Sequence, residues 1–161
     1  MKYSDRVEIT NPGKPLVSLN RMIDENKSRN EKLAYMMRKF GICEEKGKGI
    51  DQVIHSCEAY QLPAPEWIEK ESSFVAKLYS YKTFNNMEKR DKIRACYQHC
   101  CIKYVMNERM SNSSLRERFK ISDNNSAIVS RIIRDTIEEG LIKPEDTSVG
   151  KKYIRYLPYY T

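Results

Sequence analysis

Two groups of polar side chains in the second half of this 161-residue chain have the types and spacing to do chemistry. Cys96, His99 and Cys100 fall within one helical turn and offer the sulfur and imidazole donors that hold zinc. Cys96 and Cys100, however, lie on the apolar stripe of a helix, where a reduced cysteine behaves as a small hydrophobe, and no second ligand pair with metal spacing occurs elsewhere. No metal is expected. The second group is Asn124, Asn125, Ser126, Ser130, Arg131 and Arg134; a helical wheel sets Asn124, Ala127, Ser130, Arg131, Arg134 and Glu138 opposite the apolar stripe of Val129, Ile132, Ile133, Thr136 and Ile137. Asparagine and arginine make paired hydrogen bonds to base edges, and the N-terminal residues of a recognition helix approach the bases most closely. The pattern predicts a DNA-reading face, against the plainer alternative of a solvated face on a module that binds protein. Lys151 and Lys152 after Gly150, and Arg116 and Arg118 on the preceding helix, are the kind of cations that meet phosphate, a contact that positions a protein without reading sequence.

Other chemistry has weaker support. Gly47-Lys48-Gly49 before a helix could expose backbone N–H groups to a phosphate, but a bare G-x-G lacks the flanking strand, third glycine and downstream acid of a dinucleotide site. A tight turn that lets the next helix pack is the stronger reading, and no cofactor is expected. His55 and His99 are the only histidines, and neither is expected beside an acid and a nucleophile, so no catalytic residue is predicted.

These residues need elements to hold them. Ser111 to Phe119 reads as a short helix capped by hydroxyl and amide side chains, Lys120 to Asn125 as a turn, and Asn124 to Glu139 as a second helix stopped by Gly140. Leu141 to Lys143 and Tyr153 to Leu157 are β-prone runs around a polar loop. Together they predict a winged helix-turn-helix. A long helix from Glu88 to Asn107 precedes it, with Ile93, Cys96, Tyr97, Cys100, Tyr104 and Val105 on one side and a thinner stripe of Ala95, Ile102 and Met106 on the other. Such a helix calls for a second partner, either the first block or another subunit.

The first block mixes signals. Arg6 to Thr10 alternates like a strand that Asn11-Pro12-Gly13 ends. Helices are expected over Leu19 to Glu25, over Asn30 to Phe40 with Leu33, Met36, Met37 and Phe40 as its stripe, and from Gly49 to Tyr60 with Ile50, Val53, Ile54 and Cys57. Pro63 and Pro65 break the pattern, and Ser73 to Tyr79 forms a closing strand with Phe74, Ala76 and Leu78 on one face. Lys82 to Met87 is the best linker. The expected fold is α+β, a small mixed block over 1–83 followed by a winged helix-turn-helix over 84–161.

Charge and cysteines bound the setting. The net charge is +7, and residues 84–161 hold 15 basic and 10 acidic side chains, so the second half carries most of the field. A positive domain attracts phosphate polymers through counterion release. Five cysteines without framework spacing, and no apolar leader after Met1, predict reduced thiols in the cytoplasm. No apolar run approaches the ~20 residues that span a bilayer.

The order of Val7-Glu8-Ile9-Thr10-Asn11-Pro12-Gly13, Ser28-Arg29-Asn30, Gly41 to Ile50 and Pro63-Ala64-Pro65-Glu66 resembles that in bacterial transcriptional regulators often labelled RecG-like ATP-dependent DNA helicases. The resemblance continues through Arg90 to His99 and Ser114 to Phe119 into the closing hairpin. It implies that the chain corresponds to the C-terminal portion of such proteins, with an N-terminal Schlafen/AlbA-type domain as its missing companion. It also implies double-stranded DNA as partner and a homodimer on paired half-sites. The helicase label is not supported by the residues, which include no G-x-x-x-x-G-K-[ST] phosphate loop. The expected function is therefore non-catalytic DNA binding, with a protein-interaction module or a fragment of an ATP-binding regulator as alternatives.

Overall fold

Helix α3, Lys89–Val105, is the axis of the molecule. Its two thin apolar stripes follow from burial on every side: Asp91, Ile93 and the unbroken run Ala95 to Ile102 are all buried. A helix that is covered all round shows little amphipathic contrast in its sequence, and its partners here come from both halves of the chain. The computed structural model that shows this describes residues 1–43, 48–150 and 153–161.

The first half builds an antiparallel sheet in the order β1-β3-β2, from β1 (Arg6–Pro12), β2 (Glu66–Glu69) and β3 (Ser73–Tyr79). Ile9, Ala76 and Trp67 are register partners across the three strands and so share a face. Gly13 adopts φ +85°, which releases the chain from β1 as the Asn-Pro-Gly signal predicts. Strand β2 is not foreseen because Pro63 and Pro65 read as breakers and only four residues follow them; both prolines are instead fully buried beneath the strand's entry. Helix α1 (Glu31–Lys39) starts at Asn30, whose side chain accepts from the Leu33 N–H at 3.0 Å, and Gly41 ends it at φ +67°. Helix α2 (Lys48–Ala59) buries Ile54 and Cys57 toward α3.

The expected helix over Leu19 to Glu25 contracts to a 3-10 turn at Leu19–Arg21. Ser18 makes no capping bond, and a stretch this short cannot offset the cost of nucleating a helix. Instead Arg21 grips Asp24 and Glu25 at 2.6 and 3.1 Å. The stretch read as a linker is packed: Met87 is buried and the Phe84 ring meets Phe119 edge-on at 5.2 Å.

In the second half, α4 (Asn112–Phe119) and α5 (Ser126–Glu138) lie against α3, and a hairpin of β4 (Ile142–Pro144) and β5 (Tyr156–Pro158) closes the chain. Gly140 at φ +69° turns α5 into β4. One buried cluster joins Ile23, Ile54 and Ala64 to Cys96, Cys100, Leu115, Val129 and Ile133. Buried polar bonds cross the same boundary: the Tyr97 hydroxyl donates to the Asn20 carbonyl at 2.6 Å, and the Gln98 amide to that of Pro65 at 2.8 Å. The fold is α+β, and no helix among the described residues is long and apolar enough to cross a membrane.

Candidate nucleic-acid interface

Ser111 caps α4 through a reciprocal box: its Oγ accepts the Ser114 N–H at 3.1 Å, and Ser114 Oγ accepts the Ser111 N–H at 3.0 Å. At the other end Lys120 takes the left-handed conformation, φ +51°, and a 3-10 turn at Asp123–Asn125 leads into α5. Leu115, Phe119, Val129, Ile132 and Ile133 share the core, which fixes α5 across α4. The hairpin is tied beside them where the Tyr156 N–H donates to the Met110 carbonyl at 2.9 Å.

These three elements enclose a polar cleft of ≈ 610 Å³ lined by Asn112, Arg116, Ser126, Ser130, Tyr153 and Arg155. Its side chains are already organised. Asn112 Nδ2 donates to the Ser126 carbonyl at 3.1 Å and to Ser130 Oγ at 3.0 Å. Arg116 Nε donates to Asn112 Oδ1 at 3.0 Å, and its Nη1 pairs with Asp123. The Asn112 amide spends both its N–H donors on this scaffold, and the guanidinium and hydroxyl groups that it holds can receive phosphate oxygens without first losing side-chain freedom.

The sequence-predicted residues divide. Asn124 and Asn125 are exposed but belong to the 3-10 turn, because α5 begins one residue later at Ser126. Ser126 and Ser130 face the cleft. Arg131 lies on the other flank of α5, in a smaller hollow of ≈ 270 Å³ with Lys89, Lys92 and Asp135. Arg134 is exposed beside Glu138, one turn along, at 3.9 Å. Arg116 is in the cleft. Arg118 is a correction: its side chain is 1% exposed, its Nη2 donates to the Leu62 carbonyl at 2.7 Å, and Glu58 lies 3.4 Å from its Nε, so it serves the fold and cannot reach DNA. Lys151 and Lys152, like Gly47 of the Gly47-Lys48-Gly49 stretch, lie outside the described residues. Asn112, Tyr153 and Arg155 carry no binding signal in the sequence. Asn112 is hidden within a capping pattern and the other two within a β-prone run, whose strand in fact starts later, at Tyr156.

His99 also differs from expectation. Its Nδ1 lies 3.0 Å from both Glu58 carboxylate oxygens and its Nε2 is 3.2 Å from Ser114 Oγ, so it does sit between an acid and a hydroxyl. The hydroxyl is committed to the α4 cap, donating to the Ser111 carbonyl at 3.1 Å, and the imidazole is buried, so the arrangement works as a packing network. Burial pushes the Cys96 and Cys101 thiols up to about 12, consistent with their behaviour as core residues. Among the described residues no group of three metal-ligating side chains converges.

The first half offers a different surface. The shared face of Ile9, Trp67, Phe74 and Leu78 opens on a groove of ≈ 630 Å³, which Ile50 and Val53 of α2 only partly close. Helix α1 is exposed as well, with Leu33 56% accessible, Phe40 at its C-terminal cap 72% accessible and no buried residue.

Residues 1–78 match the family model described as "Putative ATP-dependent DNA helicase recG C-terminal". That match runs from β1 through α1, α2 and β2 to the penultimate residue of β3 and stops before the segment that leads into α3. No curated protein and no solved structure matches the chain.

Proposed function

We propose that this chain is the DNA-binding part of a bacterial transcriptional regulator, acting by binding without covalent chemistry, in the cytoplasm and as a homodimer. In this reading residues 84–161 form a winged helix-turn-helix. Helix α5 enters the major groove, and the β4–β5 hairpin rests on the flanking backbone. The observation that carries the proposal is the exposed face of Ser130, Arg131 and Arg134 next to a cleft holding Arg116, Asn112 and Arg155. The excess of basic residues in this half supports it.

Fluorescence anisotropy on random duplex DNA at two salt concentrations tests it, with an Arg131→Ala/Arg134→Ala variant alongside. Binding is expected to weaken steeply with salt, and the variant to lower the slope of log affinity against log salt by about 0.9 for each phosphate it no longer neutralises. Absence of binding at low salt would sink the reading.

A second reading, an interaction module, is favoured by one specific observation: the first half leaves apolar side chains uncovered, on α1 and in the open sheet groove. Contiguous exposed apolar surface marks docking sites. Apolar docking keeps its affinity as salt rises, which separates it from DNA binding in the same experiment.

A further inference from the structure

A further cavity, ≈ 360 Å³, lies between the C-terminal ends of α2 and α4 and the segment that leads into α3. Its walls include Tyr60, Tyr81, Lys82, Phe84, Arg118 and Lys120, and no acidic side chain lines it among the described residues. From this combination we infer a binding site for a small planar anion, an aromatic carboxylate.

The cations are not needed to finish the helices. Both helices close on themselves: the Leu62 N–H reaches the Cys57 carbonyl at 2.8 Å, and the Ile121 N–H reaches that of Arg116 at 2.9 Å. In each case a left-handed residue makes the turn, Gln61 at φ +56° and Lys120 at φ +51°. Neither is glycine, and both line this cavity. Strained backbone of this kind gathers at ligand sites, where the surrounding structure sustains it.

In the wall of the cavity, Arg118 is buried with its Nη1 lacking a hydrogen-bond partner, while its Nε lies 3.4 Å from Glu58. Glu58, 3.4 Å from Arg118, and Asp91, 3.6 Å from Lys82, stand behind the wall and do not line the space. Among the described residues the lining therefore carries three cations and no carboxylate, a composition that favours an anionic guest. The Phe84 ring, packed edge-on against Phe119, gives an apolar floor, and the exposed rings of Tyr60 and Tyr81 stand at the rim. Flat rings favour a flat guest, and the volume admits a single aromatic ring with its carboxylate and leaves room for substituents.

The site is independent of whether α5 reads DNA. The test is an amide chemical-shift titration of the whole chain with benzoate, repeated with the equally shaped but neutral benzamide. Benzoate is expected to cause saturable shifts confined to residues 60–61, 81–84 and 118–120, with benzamide about tenfold weaker, as the loss of a charge-assisted hydrogen bond dictates. Lys82→Ala/Lys120→Ala is expected to weaken benzoate by about tenfold while the remaining resonances keep their positions. Equal responses to benzoate and benzamide would overturn the inference, as would shifts that are scattered or unsaturable, or benzoate binding unchanged in the double variant.

Discussion

Helices α1 and α3 carry their apolar side chains into opposite surroundings. Helix α3 threads between the first half and the α4–α5–hairpin unit and leaves almost nothing of its middle exposed, whereas α1 displays Leu33, Met36 and Phe40 to solvent. Yet the sequence contrast runs the other way: α1 has the sharper apolar stripe. A sharp stripe reports that one side of a helix is meant to be covered, and it does not say by what. The first half therefore holds unspent apolar surface, and the second half holds organised polar surface. This is the physical basis for placing docking in one and DNA recognition in the other.

The harshest way to probe the well-packed side is through its buried charges. Burial pulls the Arg118 guanidinium below its ordinary value, while Glu58 holds it charged from 3.4 Å. Glu58→Ala strands Arg118 and leaves the His99 imidazole without its acceptor, and should cost about 3–5 kcal/mol in urea unfolding. Glu58→Gln keeps an oxygen for His99 and should cost less. If the two variants unfold alike, the network contributes little to joining α2 to α3 and α4.

The comparison between the two helical regions can be put to one chemical change made twice. Leu115, on α4 in the core, is fully buried, and Leu33 is 56% exposed. Leu115→Ala should destabilise by about 2–5 kcal/mol and Leu33→Ala by less than about 0.5 kcal/mol, read from urea midpoints at the same protein concentration. A large loss at Leu33 that grows with protein concentration would mean that a second copy covers α1 in solution.

Much of this is legible in the residues. Capping signals at Asn30 and Ser111, and the glycines at 41 and 140, mark helix ends to within a residue or so because local backbone chemistry sets them. The second half's two short helices and hairpin follow from periodicity. What is not legible depends on distant neighbours. Arg118 looks like a surface cation because nothing near it in sequence announces Leu62 or Glu58, 56 and 60 positions away. His99 looks isolated for the same reason, since its acid comes from α2 and its hydroxyl from α4. Asn112 and Arg155 become cleft residues only once the hairpin is laid beside α4.

On the polar side, Arg155 offers a smaller and more specific effect. Its guanidinium lines the cleft and, among the described residues, makes long approaches, 3.5 Å, to the carbonyls of Tyr153 and Ile154. Arg155→Ala should weaken binding to random duplex DNA by about tenfold and lower the salt slope by about 1, leaving the unfolding midpoint unchanged. An unchanged salt slope would remove the hairpin from the interface while leaving α5 in it.

The smallest effect concerns Asp51, in the first turn of α2, the helix that touches both regions. Its Oδ1 is buried without a hydrogen-bond partner, and burial raises the carboxyl above its ordinary value, with His55 one turn on pulling the other way. A raised folded-state value means that the native protein holds this proton more tightly than the unfolded chain. The ionised carboxylate therefore costs stability at neutral pH, and the cost disappears as pH falls through the folded value toward 3.8 and below. Asp51→Asn should accordingly stabilise the protein at pH 7, by no more than about 0.5 kcal/mol, and change nothing at pH 3. The opposing force is the helix dipole, which favours a negative charge in the first turn of α2. If Asp51→Asn destabilises at pH 7, the dipole outweighs burial. The start of α2 is then well hydrated, and the groove it borders is open to water in solution.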